Sequence, residues 1–545
     1  MKERLPRLLD VLVVAVCAAY IVRFAWLQTL GLMDRYTLEW DARAMALPAW
    51  RYHGTGLFAE DYVVDYVGLI GPPLWKLTYW VGTLFTDPYT LSKLLPFALL
   101  AILVWQGFAL GRHVGGVALG AATAFLLVHC TVVWDRLLGG SARSFGFPLV
   151  VAFLRYAVTG QELRLLAALL LQAATYPSAF LFSAPAYGLS LLVRPERRRW
   201  IRLIVTGAVA GLLMVSSLWS VDARFGHPTT LAEAATLPQM GPNGAQPFYP
   251  LWPTDFIIKG TLDAVVTVQG TPVLPALQRY NARNHHVVLW GVIGVLVVLA
   301  GRRLRELPLL LVFMFIASLG AYQLARVMAY RLYLPERMLL YAWPPLFHVT
   351  MVLLAYQAMR RLGARWAGRG AAILLIALQF AVYGDGLPRR MNLWDWSAYD
   401  TPTVRFIGTL PKDALVAAPF KTSSFIQYLA LRRTLFSSIT NTNHYYGYAV
   451  ENERRIRAYY EAYYARDLET VRRFAAMYHV DYMVVDALDF GPDALRRSRY
   501  TEPWTTLAQR LIAATPPDRM ALAHPPPGAV VFRDGTMMVI DLKKL

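Results

Sequence analysis

Six carboxylates crowd the loop behind the first apolar segment: Asp34, Glu39 and Asp41, then Glu60, Asp61 and Asp65, ahead of a second apolar run opening at Gly68. The chain around them carries 54 Lys and Arg against 35 Asp and Glu, a formal net charge of +19. Acid gathered on one segment of so basic a chain calls for a reason. A carboxylate at a membrane surface can take a proton from a hydroxyl as a general base. Several together offer hard oxygen ligands suited to Mg2+ or Mn2+, although their spacing does not compel a metal. The plainer alternative is a set of solvated surface groups and helix caps, and Asp34 reads as merely interfacial.

The elements that must position this loop are apolar. The 545 residues are 56% hydrophobic and 13% aromatic, with a mean hydropathy of +0.38. Soluble domains lie nearer roughly 45–50% apolar. Apolar runs fall at about 8–30, 68–85, 91–111, 115–133, 145–159, 163–193, 201–219, 286–300, 307–326, 338–359 and 371–385. Most approach the roughly 20 residues that cross about 30 Å of hydrocarbon, where backbone groups must be satisfied within a helix. The run 163–193 is interrupted at Tyr176-Pro177.

Basic clusters orient the runs: Lys2, Arg4 and Arg7; Arg194 to Arg202; Arg302, Arg303 and Arg305; Arg360, Arg361, Arg365 and Arg369. Short loops of this kind stay in the cytoplasm. Counting each run as one span predicts about eleven transmembrane helices, with the N-terminus inside and both the acidic loop and the C-terminal segment outside. On that count Arg112-His113 lie outside, while Arg136 and Arg143 lie inside and serve orientation. Arg23 and Arg155 fall in or near spans, where charge is costly and often functional. Positive charge spread over loops argues against nucleic-acid binding. The basic start of the first run lacks an A-x-A cleavage pattern, so it reads as a retained helix. Cys17 and Cys130 both lie in apolar runs and make neither a disulfide framework nor a cysteine metal site.

Three regions are expected. Residues 1–219 form an N-terminal transmembrane core with the acidic outer loop 31–66. Residues 220–385 hold a long, proline-rich outer loop (about 220–285) and four further spans. Residues 386–545 form a soluble extracytoplasmic α/β domain. In that last region Ala414–Phe420 and Tyr482–Asp486 suit strands, and Asn452–Tyr464 and Asp467–His479 have helical spacing with Asp467 as N-cap. Asp534-Gly535 between Ala529–Arg533 and Met537–Asp541 signals a hairpin.

Residues 34–97 run from the acids through Arg43–Trp50 and Gly54-x-Gly56-Leu57-Phe58 to Asp61 and Gly71-Pro72-Pro73. They continue to Asp87-Pro88 and Lys93-Leu94-Leu95-Pro96. This resembles the first outer loop and following helices of the GT-C superfamily of membrane glycosyltransferases, over about the first 200 residues and without a single diagnostic motif. No WWDYG-type signature of oligosaccharyltransferases occurs. The resemblance implies a polyprenyl-phosphate sugar donor and one or two acids in that loop. By its distance from the first span Asp41 matches the loop acid best, followed by Asp61, Glu39 and Asp65. A donor phosphate then needs cations on the same face. Arg326, Arg331 and Arg337, interleaved with Tyr330, Tyr333 and Tyr341, fit because guanidinium groups grip phosphate oxygens in a fork. The rival reading is an interfacial belt of snorkelling side chains, and Glu336 would neutralise Arg337. In the soluble region, Thr422–Tyr428 and Asn441–Tyr448 mix amides, hydroxyls and rings, as carbohydrate sites do. That marks Gln427, Tyr428, His444 and Tyr445 as acceptor-binding candidates, against a lid that only packs on the membrane core.

These observations predict an inverting glycosyltransferase of the bacterial inner (plasma) membrane, moving a sugar from a lipid-linked donor to an extracytoplasmic glycan, lipid or protein. Two alternatives are a polytopic transporter or flippase and a non-catalytic GT-C-like subunit of an envelope assembly complex. No HExxH, phosphate-cradling Gly-rich loop or serine elbow occurs, which argues against nucleotide hydrolysis.

Overall fold

The computed structural model describes residues 4–193, 195–219, 223–237, 291–332, 334–363, 366–383, 393–440, 444–497 and 502–545. Most of the expected outer loop 220–285, the start of the 286–300 run, and Asn441 and Asn443 lie outside the described residues.

Helices α1 (Arg4–Thr29), α2 (Tyr62–Ile70), α3 (Pro73–Gly82), α4 (Pro88–Gly115) and α5 (Val117–His129) open the chain. The run 68–85 is not one helix. Pro72 is extended, with φ −66° and ψ 154°, because a residue followed by proline is pushed out of the helical region. The result is two helices of 9 and 10 residues, each about 15 Å long at roughly 1.5 Å per residue and half the bilayer core. Both remain beside the acidic loop: Trp75 Nε1 donates to Gly140 O at 3.1 Å, and His53 Nδ1 lies 3.1 Å from Thr83 O. Asp87 then starts α4 cleanly, its carboxylate accepting the N–H groups of Tyr89 and Thr90 at 2.9 and 3.0 Å, with Pro88 at the first helical position.

Helices α6 (Gly146–Val158), α7 (Glu162–Thr175), α8 (Pro177–Val193) and α9 (Arg197–Trp219) follow. The run 163–193 is two helices that meet at Tyr176, which stands at φ −146°, ψ 81° ahead of Pro177. After the segment outside the described residues come helix 291–300, α10 (Leu310–Val327), α11 (Glu336–Arg361) and α12 (Ala367–Tyr383). Among the described residues, four helices are long and apolar enough to cross a membrane by themselves: α1, α4, α10 and α11. Leu12, Val22, Ile204, Leu212 and Val298 point outward and are exposed. Together these features make the chain a multi-pass membrane protein.

The bundle has two chemically distinct ends. At the basic end Arg202 pairs with Glu162 at 2.9 Å, Arg360 with Glu306 at 2.5 Å and Arg369 with Asp10 at 2.6 Å. Gly115 belongs here too, packed so tightly on Gly368 that a Cβ on Gly368 would fall within 1.7 Å of the Gly115 carbonyl. Arg112-His113 therefore sit at the basic end, opposite to the side expected from sequence. Arg143 contacts Glu39 and Asp41 and sits at the acidic-loop end, again opposite to expectation, as does Arg136, whose charge acts on Asp41. Arg155 donates to Gln106 Oε1 at 2.8 Å and lies near the rings of Trp105 and Tyr156, which anchors it within the bundle.

The C-terminal region carries the five-stranded sheet β4-β3-β5-β7-β6, with β3 (Leu415–Ala417), β4 (Arg433–Thr434), β5 (Tyr482–Asp486), β6 (Val530–Asp534) and β7 (Met537–Asp541). β3 pairs in parallel with β4 and β5, while β5–β7 and β6–β7 are antiparallel. Gly535, at φ 57°, makes the hairpin turn. Helices α13 (Tyr446–Tyr463) and α14 (Leu468–Tyr478) pack on the sheet, α14 capped by Asp467 accepting Thr470 N–H at 2.7 Å. This domain also grips the acidic loop. Strand β1 (Thr37–Leu38) pairs with β2 (Trp394–Asp395), Trp396 Nε1 donates to Leu38 O at 3.1 Å, and Tyr36 Oη meets Asp400 at 2.5 Å.

Candidate active site

Glu39 and Asp41 lie two residues apart, yet their carboxylates have different tasks. Glu39 Oε2 accepts the N–H groups of Asp41 and Ala42 at 2.9 and 3.0 Å, capping the short helix Ala42–Met45. Asp41 occupies the N-cap position of that helix but makes no side-chain cap bond. Its carboxylate is left for other work.

Arg143 bridges the pair, donating from Nη2 to Glu39 Oε1 at 2.6 Å and from Nη1 to Asp41 Oδ2. The turn that delivers it needs glycine. Gly139 stands at φ 81° and Gly140 at φ 57°, and a Cβ on Gly139 would come within 2.6 Å of Glu39 Oε2. Glu39 and Arg143 are sealed, at 9% and 11% side-chain exposure, whereas Asp41 keeps 34%. That opening faces a cavity of about 440 Å³.

Burial pushes the Glu39 carboxyl up to about 7, with the Asp41 charge adding to the rise and Arg143 opposing it. Asp41 is partly desolvated too, but Arg143, Arg337, Arg136 and Arg43 together outweigh that effect and hold it below its ordinary value. Arg143 is pushed above its usual range, as the two acids outweigh its desolvation. Arg43, which burial lowers to about 10, is packed against the rings of Trp396, Trp40 and Phe425 at 3.8, 4.6 and 4.6 Å.

The cavity wall combines polar and apolar side chains. Asp41, Arg143, Arg331, Arg337 and His444 supply the polar groups. Val67, Leu69, Ile70, Pro72 and Pro73 along α2–α3 and Leu181, Met214 and Val215 of α8–α9 supply apolar ones. Arg337 lies 3.7 Å from Glu336 and also feels Asp41 and His444. Burial, helped by Arg337, lowers the His444 imidazole to about 4, so it is neutral at neutral pH.

Of the residues singled out from sequence, Asp41, Arg331, Arg337, His444 and Tyr445 therefore share one cavity, with Glu39 directly behind it. Arg326 does not line it. Tyr341 is buried in the core against Phe147 and Tyr176. Gln427 and Tyr428 are buried outside the cavity lining, and Tyr428 donates to Arg35 O at 2.6 Å, which ties it into the clamp on the acidic loop. Asp61 caps α2 through Val63 and Val64 N–H, both at 2.9 Å, and lines a different cleft. Asp65 pairs with Arg51 at 2.6 Å and Arg224 at 2.9 Å, and Asp34 closes its own turn by accepting Tyr36 N–H at 2.9 Å. Sequence reasoning missed Arg143, and the signal was Gly139-Gly140 followed by polar Ser141 and Ser144.

Among the described residues no three His, Cys, Asp or Glu side chains gather to hold a metal ion, and in the acidic loop the Arg143 guanidinium bridges Glu39 and Asp41.

No protein-family model and no curated protein matches this sequence. Solved structures do resemble it in shape. ArnT from Cupriavidus metallidurans bound to undecaprenyl phosphate aligns over 96% of this chain and 97% of its own, at 12% identity and a TM-score of 0.49. The Archaeoglobus fulgidus oligosaccharyltransferase in complex with Zn and sulfate aligns over 91% of this chain and 70% of its own, at 14% identity and 0.45. AglB from the same organism, with an inhibitory peptide and a dolichol-phosphate, aligns over 92% and 72%, at 12% and 0.45.

Proposed function

We propose that this protein is an inverting glycosyltransferase that takes a sugar from a polyprenyl-phosphate donor and passes it to an extracytoplasmic acceptor. The observation that carries the reading is one cavity lined by both guanidinium groups and apolar side chains. A prenyl-linked phosphate has a matching make-up, with an anionic head for Arg331 and Arg337 and an apolar tail for the side chains of α2–α3 and α8–α9. Asp41 opens on the same space and is held ionised, so it can accept a proton. In the step proposed, the acceptor oxygen bonds to the anomeric carbon as the bond from that carbon to the phosphate oxygen breaks. The acceptor proton passes to Asp41 and the prenyl phosphate leaves toward Arg337. Glu39 positions Asp41 by capping its turn and takes no part in the proton transfer.

The basic end, rich in short Arg loops, is assigned to the cytoplasm, and the site and the C-terminal domain to the outer face of a bacterial inner membrane. Eleven crossings suit this assignment if α2 and α3 stay outside and α7 and α8 cross separately. Residues 1–219, 220–385 and 386–545 remain the proposed divisions.

The test is transfer of radiolabelled sugar from polyprenyl phosphate in membranes holding the protein. Asp41→Asn should abolish transfer, with a loss of about 100-fold or more, while still binding undecaprenyl phosphate in detergent by native mass spectrometry. Full turnover in Asp41→Asn would remove Asp41 from the base role.

A further inference from the structure

A second cleft, of about 880 Å³, lies between α2 and the C-terminal domain. It is distinct from the donor cavity, which Asp61 does not line. Beside Tyr62 of its wall lies an aromatic cluster: Tyr66 stacks on Tyr448 at 3.5 Å, with Tyr62 and Phe225 around them. Two features of the cleft stand out. Asp61 is 1% exposed, and while its Oδ1 caps α2, its Oδ2 has no hydrogen-bond partner among the described residues. Arg433, close enough to pull on the Asp61 carboxyl, makes only long contacts to the carbonyls of Asp413 and Glu60, at 3.3 and 3.4 Å, and its Nε is likewise buried without a partner. An acceptor and a donor thus stand unsatisfied on one wall, and buried polar atoms are seldom left so.

The charge around them narrows the ligand. Four arginines face five carboxylates, so the cleft has no surplus of positive charge to draw a phosphate. Arg454 and Arg455 are engaged by Glu451 at 3.1 and 2.9 Å. Charged walls exclude an apolar chain. A ligand that is neutral yet dense in groups able both to donate and to accept matches the pairing of Asp61 with Arg433. The half-buried rings of Tyr446 and Tyr478 offer edges for its apolar faces.

We propose that this cleft binds a carbohydrate, with adjacent sugar hydroxyls donating to Asp61 and accepting from Arg433. This site goes beyond the donor reading, and its test does not depend on it. The full-length protein, in detergent micelles, is applied to a printed array of microbial surface oligosaccharides and, in parallel, to a peptide array. Wild type should retain a defined subset of glycans. Asp61→Asn, which preserves a good N-cap for α2, and Arg433→Gln should each weaken that binding at least about 10-fold. Asp41→Asn, in the other cavity, should leave it unchanged. No glycan retained by wild type, equal retention by both cleft variants, or retention of peptides alone would overturn the proposal. Loss of glycan binding in Asp41→Asn would show that the sugar sits in the donor cavity, and would overturn it too.

Discussion

Removing Arg143 tests how the site is held together. Its guanidinium touches both Glu39 and Asp41, and its surroundings are almost dry. Two unit charges about 4 Å apart at an effective dielectric of about 20 attract by roughly 4 kcal/mol. Taking one partner out of a buried pair usually costs about 3–5 kcal/mol, because the other charge is left uncompensated. Glu39 has an escape. With its carboxyl already at about 7, it can bind a proton near neutral pH at little further cost. Arg143→Met should therefore lose about 3 kcal/mol, toward the lower end of that range. Adding Glu39→Gln removes the sealed carboxylate and leaves only that of Asp41, which opens on the cavity, while the Gln amide oxygen can still accept the N–H groups of Asp41 and Ala42. The double variant should recover about 2 kcal/mol relative to the sum of the single changes. The assay is denaturant unfolding of the detergent-solubilised protein, followed by the fluorescence of its 16 tryptophans. Additivity within about 0.5 kcal/mol would mean that the two side chains are energetically independent and would refute the argument.

Three further outcomes follow from the same geometry. Gly139→Ala forces a Cβ to within 2.6 Å of the Glu39 carboxylate at a residue with φ 81°, so it should destabilise the protein by about 1–3 kcal/mol in the same unfolding assay. Burial raises Asp61 from 3.8 to about 6. The folded chain then holds more protons than the unfolded chain between those values, and stability falls as pH rises from about 4 to 6. Asp61→Asn should flatten that part of an unfolding-midpoint profile, leaving the decline up to about 7 that belongs to Glu39. Finally, a phosphate bound at Arg331 and Arg337 offsets part of the positive charge that holds Asp41 down. Undecaprenyl phosphate should therefore move the Asp41 titration upward, read as the carboxylate infrared band of wild type minus Asp41→Asn, and an unmoved midpoint counts against a shared cavity.

Much of the C-terminal domain was legible because its signals are local. Asp467 caps the helix it was expected to cap, Tyr482–Asp486 is a strand to the residue, and Asp534-Gly535 turns the hairpin. The two-residue pairings β1–β2 and β3–β4 carry no periodicity and depend on contacts from far along the chain. In the membrane region hydropathy located the apolar residues but not their breaks. Gly71-Pro72-Pro73 splits 68–85 into two helices too short to cross, and Tyr176-Pro177 splits 163–193 into two that pack side by side. On the proposed assignment one run counted as a span drops out and one counted once becomes two, so the proposed eleven crossings are kept. Every loop between those errors nonetheless changes ends. That is why Arg112-His113 and Arg143 lie opposite to where charge counting put them, and why both prolines outweigh the hydropathy around them.

The same distinction governs the acids. Distance from the first span, read with the family resemblance, puts Asp41 first and Asp61 ahead of Glu39, so it does not mark Glu39 and Asp41 as a pair. It cannot separate their roles, because a carboxylate two residues along differs only in which backbone N–H groups it meets. At Glu39 those groups are the amides of Asp41 and Ala42, so the longer side chain folds back and becomes part of the turn. At Asp41 the shorter side chain points away from the helix it begins, toward Arg143 and the cavity. Exchanging their lengths, as Glu39→Asp with Asp41→Glu, would preserve charge and spacing. It would still put the capping oxygen out of reach and push the other into the Arg143 pair. The work of this loop therefore resides in side-chain length and backbone direction as much as in charge.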